Sequence, residues 1–163
     1  MLRPDLLDEI TACLDEVSPE SRVYIGCDST RRRNSQGEWV ATYTTAVVIH
    51  RDNSKGCRVF CDTETMRDYD QRADRPAMRM MNEVYKAVEA CQQLEELLWD
   101  RDVEIHLDIN EDEKHGSNCA RSMAVGYAKG VTGRVVRIKP EAFAASYAAD
   151  HGVRGGFRTP AAA

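Results

Sequence analysis

The 163-residue sequence lacks any apolar run near the roughly 18–20 residues that cross a bilayer, so no membrane span is expected. The N-terminal "MLRPDLLDEI" has no basic flank ahead of an apolar stretch. No secretory leader is expected there, and the cytoplasm is the expected location. The six cysteines form no C-x-x-C pair and are scattered at positions 13, 27, 57, 61, 91 and 119. That spacing excludes the common zinc frameworks and reads as buried thiols in a reducing compartment. No G-x-x-x-x-G-K-[ST] or G-x-G-x-x-G run occurs, which removes the P-loop and dinucleotide-binding classes. A bulk basic charge is missing too: the net charge is −5. The stretch "DINEDEKHGSNC" opens like a calcium loop. Glu113 stands where that loop needs glycine and Cys119 where it needs glutamate, so the motif fails.

What remains is an ordinary globular composition, 42% hydrophobic and 30% charged, at one domain's length. Leu6, Leu7, Ile10, Leu14 and Val17 keep a helical period after Pro4, predicting a first helix ended by Ser18-Pro19. Arg22–Asp28, Trp39–His50 and Cys57–Thr65 read as three strands joined by short polar turns, an antiparallel meander. The period then lengthens. Arg75–Trp99 reads as a long helix, Val103–Ile109 as a fourth strand, Ser117–Lys129 as a helix, Arg134–Ile138 as a fifth strand, and Pro140–Asp150 as a last helix. The later connections require parallel pairing with right-handed crossovers. The expected fold is an α/β mixed five-stranded sheet, its strands 1–3 an antiparallel meander, strands 4 and 5 parallel, with helices on both faces. Residues 1–20 are expected as an N-terminal helix packed on a domain of residues 21–151, followed by a flexible tail over 152–163.

Two strands end unusually. Alternation puts Val23, Ile25 and Cys27 on one face, and Tyr24, Gly26 and Asp28 on the other. Gly26 leaves space beside Asp28, a place where something approaches. "VEIHLDIN" repeats the pattern, with Glu104, His106 and Asp108 on one face. If the two strands are neighbours, about 4.8 Å apart, the aspartates sit side by side. The bland alternative is a pair of strand-end turn carboxylates. Glu83 lies on the flank of the apolar stripe of the long helix, and Phe143, Tyr147 and Asp150 share a face of the last helix at i, i+4, i+7. Like charges at 4 Å repel by about 4 kcal/mol at an effective dielectric near 20, so such groups share protons or hold a cation. Oxygen-only donors suit Mg²⁺ or Mn²⁺. Two ions about 3.5–4 Å apart are the standard device for in-line phosphodiester hydrolysis. His106 reads as a satisfied core histidine. Arg31, Arg32 and Arg33 read as a hairpin loop, either solvated or contacting phosphate. From Arg121 to Arg158 the positive residues outnumber Glu141 and Asp150, which leaves the C-terminal third basic.

The order of elements and of their carboxylates resembles the ribonuclease H-like superfamily. "YIGCDST", "VEIHLDIN" and "IKPEAFAASYAADH" are similar to the YkuK type, a small bacterial and phage group within it, over about Arg22 to Asp150. In the last motif Lys139, Pro140, Phe143, Ser146 and Asp150 fall in step. The resemblance implies Asp28, Glu83, Asp108 and Asp150 as metal ligands and catalytic carboxylates, with two Mg²⁺ or Mn²⁺ ions as cofactors. His115, after the fourth strand, and His151 are implied as helpers in proton transfer or product release. The implied activity is a metal-dependent nuclease cutting RNA, RNA/DNA hybrid or structured DNA. The basic handle of some ribonuclease H enzymes has no counterpart here. A non-catalytic nucleic-acid-binding or assembly module on the same fold is the alternative. The actin-like phosphotransferases share the topology but carry a Gly-rich turn that "DSTRRRN" lacks.

Overall fold

The computed structural model describes residues 1–53, 55–70, 76–110 and 121–149. Helix α1, Pro4–Glu16, starts with proline in its first turn, where the missing N–H costs nothing. It buries Leu6, Ile10, Cys13 and Leu14 in the main core together with Leu2. Each large aliphatic side chain so buried contributes about 1.5–3 kcal/mol, ample to hold the helix on the sheet.

Strands β1 (Arg22–Arg33), β2 (Trp39–His50) and β3 (Cys57–Arg67) pair antiparallel in sequence order. Helix α2, Ala77–Gln93, then crosses to β4, Val103–Leu107, which pairs parallel to β1. Helix α3, Arg121–Thr132, leads to β5, Val135–Arg137, parallel to β4. The strand order among the described residues is β3-β2-β1-β4-β5. This is the mixed sheet expected from the sequence, with β1 at its centre.

The two faces are covered unequally. Val23, Ile25 and Cys27 of β1 join Val47, Ile49, Ile105 and the apolar stripe of α2 in one large core. On the other face a π-helical segment, Ala144–Ala149, packs on Ala46 and Val48, with Tyr24, Val59 and Cys61 at its margin.

Three expectations need correction. Strand β1 does not end at Asp28 but runs to Arg33, so Arg31–Arg33 are strand and not loop. The guanidinium groups of Arg31 and Arg33 lie 4.2 and 4.6 Å from the Trp39 ring centroid, and Arg31 Nε is 2.5 Å from Asp68 Oδ2. These contacts keep the charged strand end paired to β2. The long helix stops at Gln93 and tightens into a 3₁₀ turn over Glu95–Leu97. Its start is fixed from outside: Asp70 accepts the backbone N–H of Met78 (3.1 Å) and Arg79 (2.8 Å), satisfying two of the helix's open donors. Lastly, the final helix is π-wound over Ala144–Ala149 in place of the expected α-winding, and the face expected to carry Asp150 lies partly outside the described residues.

Candidate functional site

The β1–β4 ladder ends with Cys27 opposite Leu107. One residue further, Asp28 and Asp108 follow at the carboxyl end of the parallel β1–β4 ladder, the edge where open α/β sheets bind ligands. Both are half-buried. Asp28 Oδ1 accepts the backbone N–H of Ser29 at 2.7 Å. Asp108 Oδ1 accepts the Ser146 hydroxyl at 3.1 Å and lies 2.5 Å from the Lys139 ammonium. Lys139 is carried there by its own backbone N–H, which donates to Ile109 O at 3.0 Å just past β4.

Glu83 reaches the same end of the sheet from α2. It is only 4% exposed. The Ser29 hydroxyl donates to Glu83 Oε1 at 2.5 Å, and Arg79 Nη1 donates to both Ser29 O and Ser29 Oγ at 3.1 Å. Burial pushes the Glu83 carboxyl well above the usual carboxylate range, and the charges of Asp28 and Asp108 push it the same way. The Ser29 hydrogen bond and Arg79 act against that rise. Strand alternation explains the split: Asp28 faces the π-helical segment, while Ser29 faces α2 and meets Glu83.

Gly26 has a different neighbour from the one the sequence invites. A Cβ there would lie 2.5 Å from Ala145 N and 2.8 Å from Ala145 Cα. The space beside Asp28 is filled by the backbone of the π-helical segment. Glycine is what allows that segment to press on β1 and bring Ser146 to Asp108.

His106 is a core histidine, 1% exposed. Its Nδ1 accepts the Ala144 N–H at 3.1 Å, which leaves the proton on Nε2, 3.4 Å from Glu104 Oε2. Burial lowers its pKa, against the pull of Glu104, so the ring stays neutral. Its ring contacts those of Tyr24 and Phe143, with centroids 5.1 and 4.8 Å away. It orients the start of the π-helical segment and does not face the carboxylates' solvent side.

Asp28, Glu83 and Asp108 are thus brought to one sheet edge. Asp150, His115 and His151 lie outside the described residues. Among the described residues, no three carboxylate, thiol or imidazole groups converge closely enough to enclose a metal ion. The sequence does not single out Ser29, Arg79, Lys139 or Ser146 as site residues. Ser29 is signalled only by its place next to Asp28, and Lys139 and Ser146 only by the motif they share with Pro140.

A sequence model of the ribonuclease H-like family matches residues 5–153. The chain belongs to the ribonuclease H-like family. The strand order, with an antiparallel meander continued by two parallel strands, is the ribonuclease H-like fold. Among solved structures, the native protease–reverse transcriptase of prototype foamy virus is similar at a TM-score of 0.43 and 8% identity. The match covers 87% of this chain and 22% of that one. No curated protein matches. Ribonuclease H-like membership supports a nuclease-type or otherwise nucleic-acid-related function. No helix among the described residues is long and apolar enough to cross a membrane.

Proposed function

We propose that the chain is a Mg²⁺- or Mn²⁺-dependent nuclease that hydrolyses phosphodiester bonds in RNA, RNA/DNA hybrid or structured DNA. The observation that carries this reading is the register of β1 and β4, which sets Asp28 beside Asp108 with the buried Glu83 electrostatically coupled to both. The donor set fits such a cation. All three groups are hard carboxylate oxygens, and Asp108 already holds a positive charge, the Lys139 ammonium. Asp28, Asp108 and Glu83 would hold the metal, with Asp150 as the fourth ligand the family resemblance implies, and two ions are the expected number. Bound there, the ions supply Lewis-acid activation of a water and neutralisation of the leaving oxygen.

The chain's own residues do the positioning. Ser29 and Arg79 fix Glu83 from the α2 side, and Ser146 fixes Asp108 from the opposite face. Lys139 balances Asp108 while no metal is bound and is placed to approach a substrate phosphate once displaced. His115 and His151 remain the proposed helpers of proton transfer. The proposed domain comprises residues 21–151, with α1 docked on it and a tail over 152–163. The proposed setting is the cytoplasm of a bacterium or a phage-infected cell.

The test is cleavage of end-labelled oligonucleotides in Mg²⁺ or Mn²⁺. Asp28→Asn and Asp108→Asn should each remove metal-dependent cleavage. Intact cleavage in both variants sinks the assignment. The open arrangement of ligands among the described residues, with Lys139 on Asp108, favours a second reading. That reading is a non-catalytic nucleic-acid-binding module, which binds in a salt-dependent way and cuts under no divalent metal.

A further inference from the structure

The sheet extends past the π-helical segment on the face that carries Asp28. Alternation along β1 places Thr30 and Arg32 on that face, about 7 and 14 Å beyond Asp28 along the strand. The register sets Thr42 of β2 opposite Thr30, and Thr65 of β3 beyond Thr42, with Arg67 next along β3. Thr30, Arg32, Thr65 and Arg67 are exposed. The Thr42 and Thr65 hydroxyls lie 2.9 Å apart.

Charge on this face is one-sided. In a chain of net charge −5, Asp28 is the only carboxylate that β1, β2 and β3 turn to it. The Arg32 side chain makes no ion pair or hydrogen bond among the described residues. Arg67 pairs with Glu38, just outside β2, at 3.5 Å, with side chains 60% and 41% exposed, and its guanidinium lies 5.5 Å from the Tyr69 ring centroid. An open pair of that kind holds its arginine weakly. The acids of β3, Asp62 and Glu64, fall on the opposite face, where they pair with Arg3 and Lys86. A row of hydroxyls and guanidinium groups without acids matches the oxygens of a phosphodiester backbone.

We propose that this threonine–arginine face holds the backbone of a single nucleic-acid strand running away from Asp28. Contacts of this type read phosphates and not bases, so binding is indifferent to sequence. The inference rests on the nuclease reading for where the cut bond lies, though not for the binding itself.

Fluorescence anisotropy of labelled single-stranded 20-mers, DNA and RNA, in EDTA and across a salt series tests it. In the Arg32→Ala/Arg67→Ala variant the slope of log affinity against log salt should fall by about 1.4, at ~0.7 per lost contact on a single strand. Arg22→Ala/Arg58→Ala removes the same charge from the far end of the sheet and should leave the slope unchanged. Thr42→Val/Thr65→Val should weaken binding at an unchanged slope, because hydroxyls release no counterion. A wild-type slope in the Arg32/Arg67 variant, an equal loss in the control pair, or no binding by the wild type at low salt would each overturn the inference. If the wild type binds as described but cleaves nothing in Mg²⁺ or Mn²⁺, the nuclease reading fails and this one stands. If it cleaves while the Arg32/Arg67 variant binds normally, the reverse holds.

Discussion

Replacing Gly26 with alanine adds one methyl group at the most crowded point of the site. The new Cβ would meet Ala145 N at 2.5 Å, Ala145 Cα at 2.8 Å and Ala144 C at 2.9 Å. Ordinary carbon contacts begin near 3.5 Å, so β1 and the π-helical segment must part by roughly 1 Å. All three obstacles are backbone, with no side-chain rotamer able to give way. Overpacking of this kind costs about 1–3 kcal/mol, and the upper half of that range is expected here. For a domain of this size ~2–3 kcal/mol corresponds to roughly 4–12 °C in Tm. Urea denaturation and calorimetry measure it. The same shift draws Ser146 from Asp108, so Mn²⁺-dependent stabilisation should fall together with Tm. Gly126 in α3 is the internal control, since nothing lies within 4 Å of its added Cβ. Gly126→Ala should stabilise by about 0.5–1 kcal/mol through helix propensity alone. If Gly26→Ala matches wild type in both Tm and metal response, the segment does not press on β1 and the account of Gly26 is wrong.

Three further outcomes are expected. The folded chain keeps a proton on Glu83 that the unfolded chain releases above its ordinary 4.5, so stability falls as pH rises through the interval up to the folded value. Glu83→Gln should flatten that decline and be more stable at pH 7 in urea titrations, while losing Mn²⁺ affinity; a steeper decline would refute the assignment. His106 has the opposite sign: its folded pKa lies below 6.5, so stability drops as pH falls through 6.5 toward that value. His106→Asn keeps an acceptor for the Ala144 N–H and should lose this acid limb, at a cost of about 1–3 kcal/mol from the lost ring contacts, measured as denaturation midpoints from pH 7 to 5. Lys139→Met removes the ammonium that competes for Asp108 and should tighten Mn²⁺ binding about 2–5-fold by calorimetric titration, the worth of a half-exposed ion pair. Weaker binding in that variant would make Lys139 a support of the metal site and not its rival.

Much of the architecture is legible in the sequence because it follows from periodicity. The span Trp39–His50 is a strand with those bounds because its β-branched residues and the flanking turns leave no alternative. That Asp28 and Asp108 come to the same end of neighbouring strands is legible for the same reason, two apolar runs with one alternation, although β1 itself continues to Arg33. Features set by distant partners are not. Nothing local says that Arg31 and Arg33 stay in strand, because the reason is Trp39 and Asp68. Nothing in "FAASYAA" announces π-winding, because the segment is wound against Gly26 below it and anchored by the His106 imidazole. Glu83 can be placed on the sheet side of its helix, but its high pKa comes from its burial and from the charges of Asp28 and Asp108, which only the folded sheet assembles.

The parallel pairing of β1 with β4 also governs when the site comes into being. The meander β1–β2–β3 is local and closes through short turns, whereas β1 meets β4 only after α2 has crossed over. Non-local parallel pairing of this kind is the slow part of assembly. A chain with only the meander formed presents Asp28 alone, along with an unpaired β1 edge open to other strands. Docking of β4 closes that edge and delivers Asp108 in one event. The carboxylate pair therefore exists only in molecules whose central sheet is complete, and half-folded chains carry no version of it.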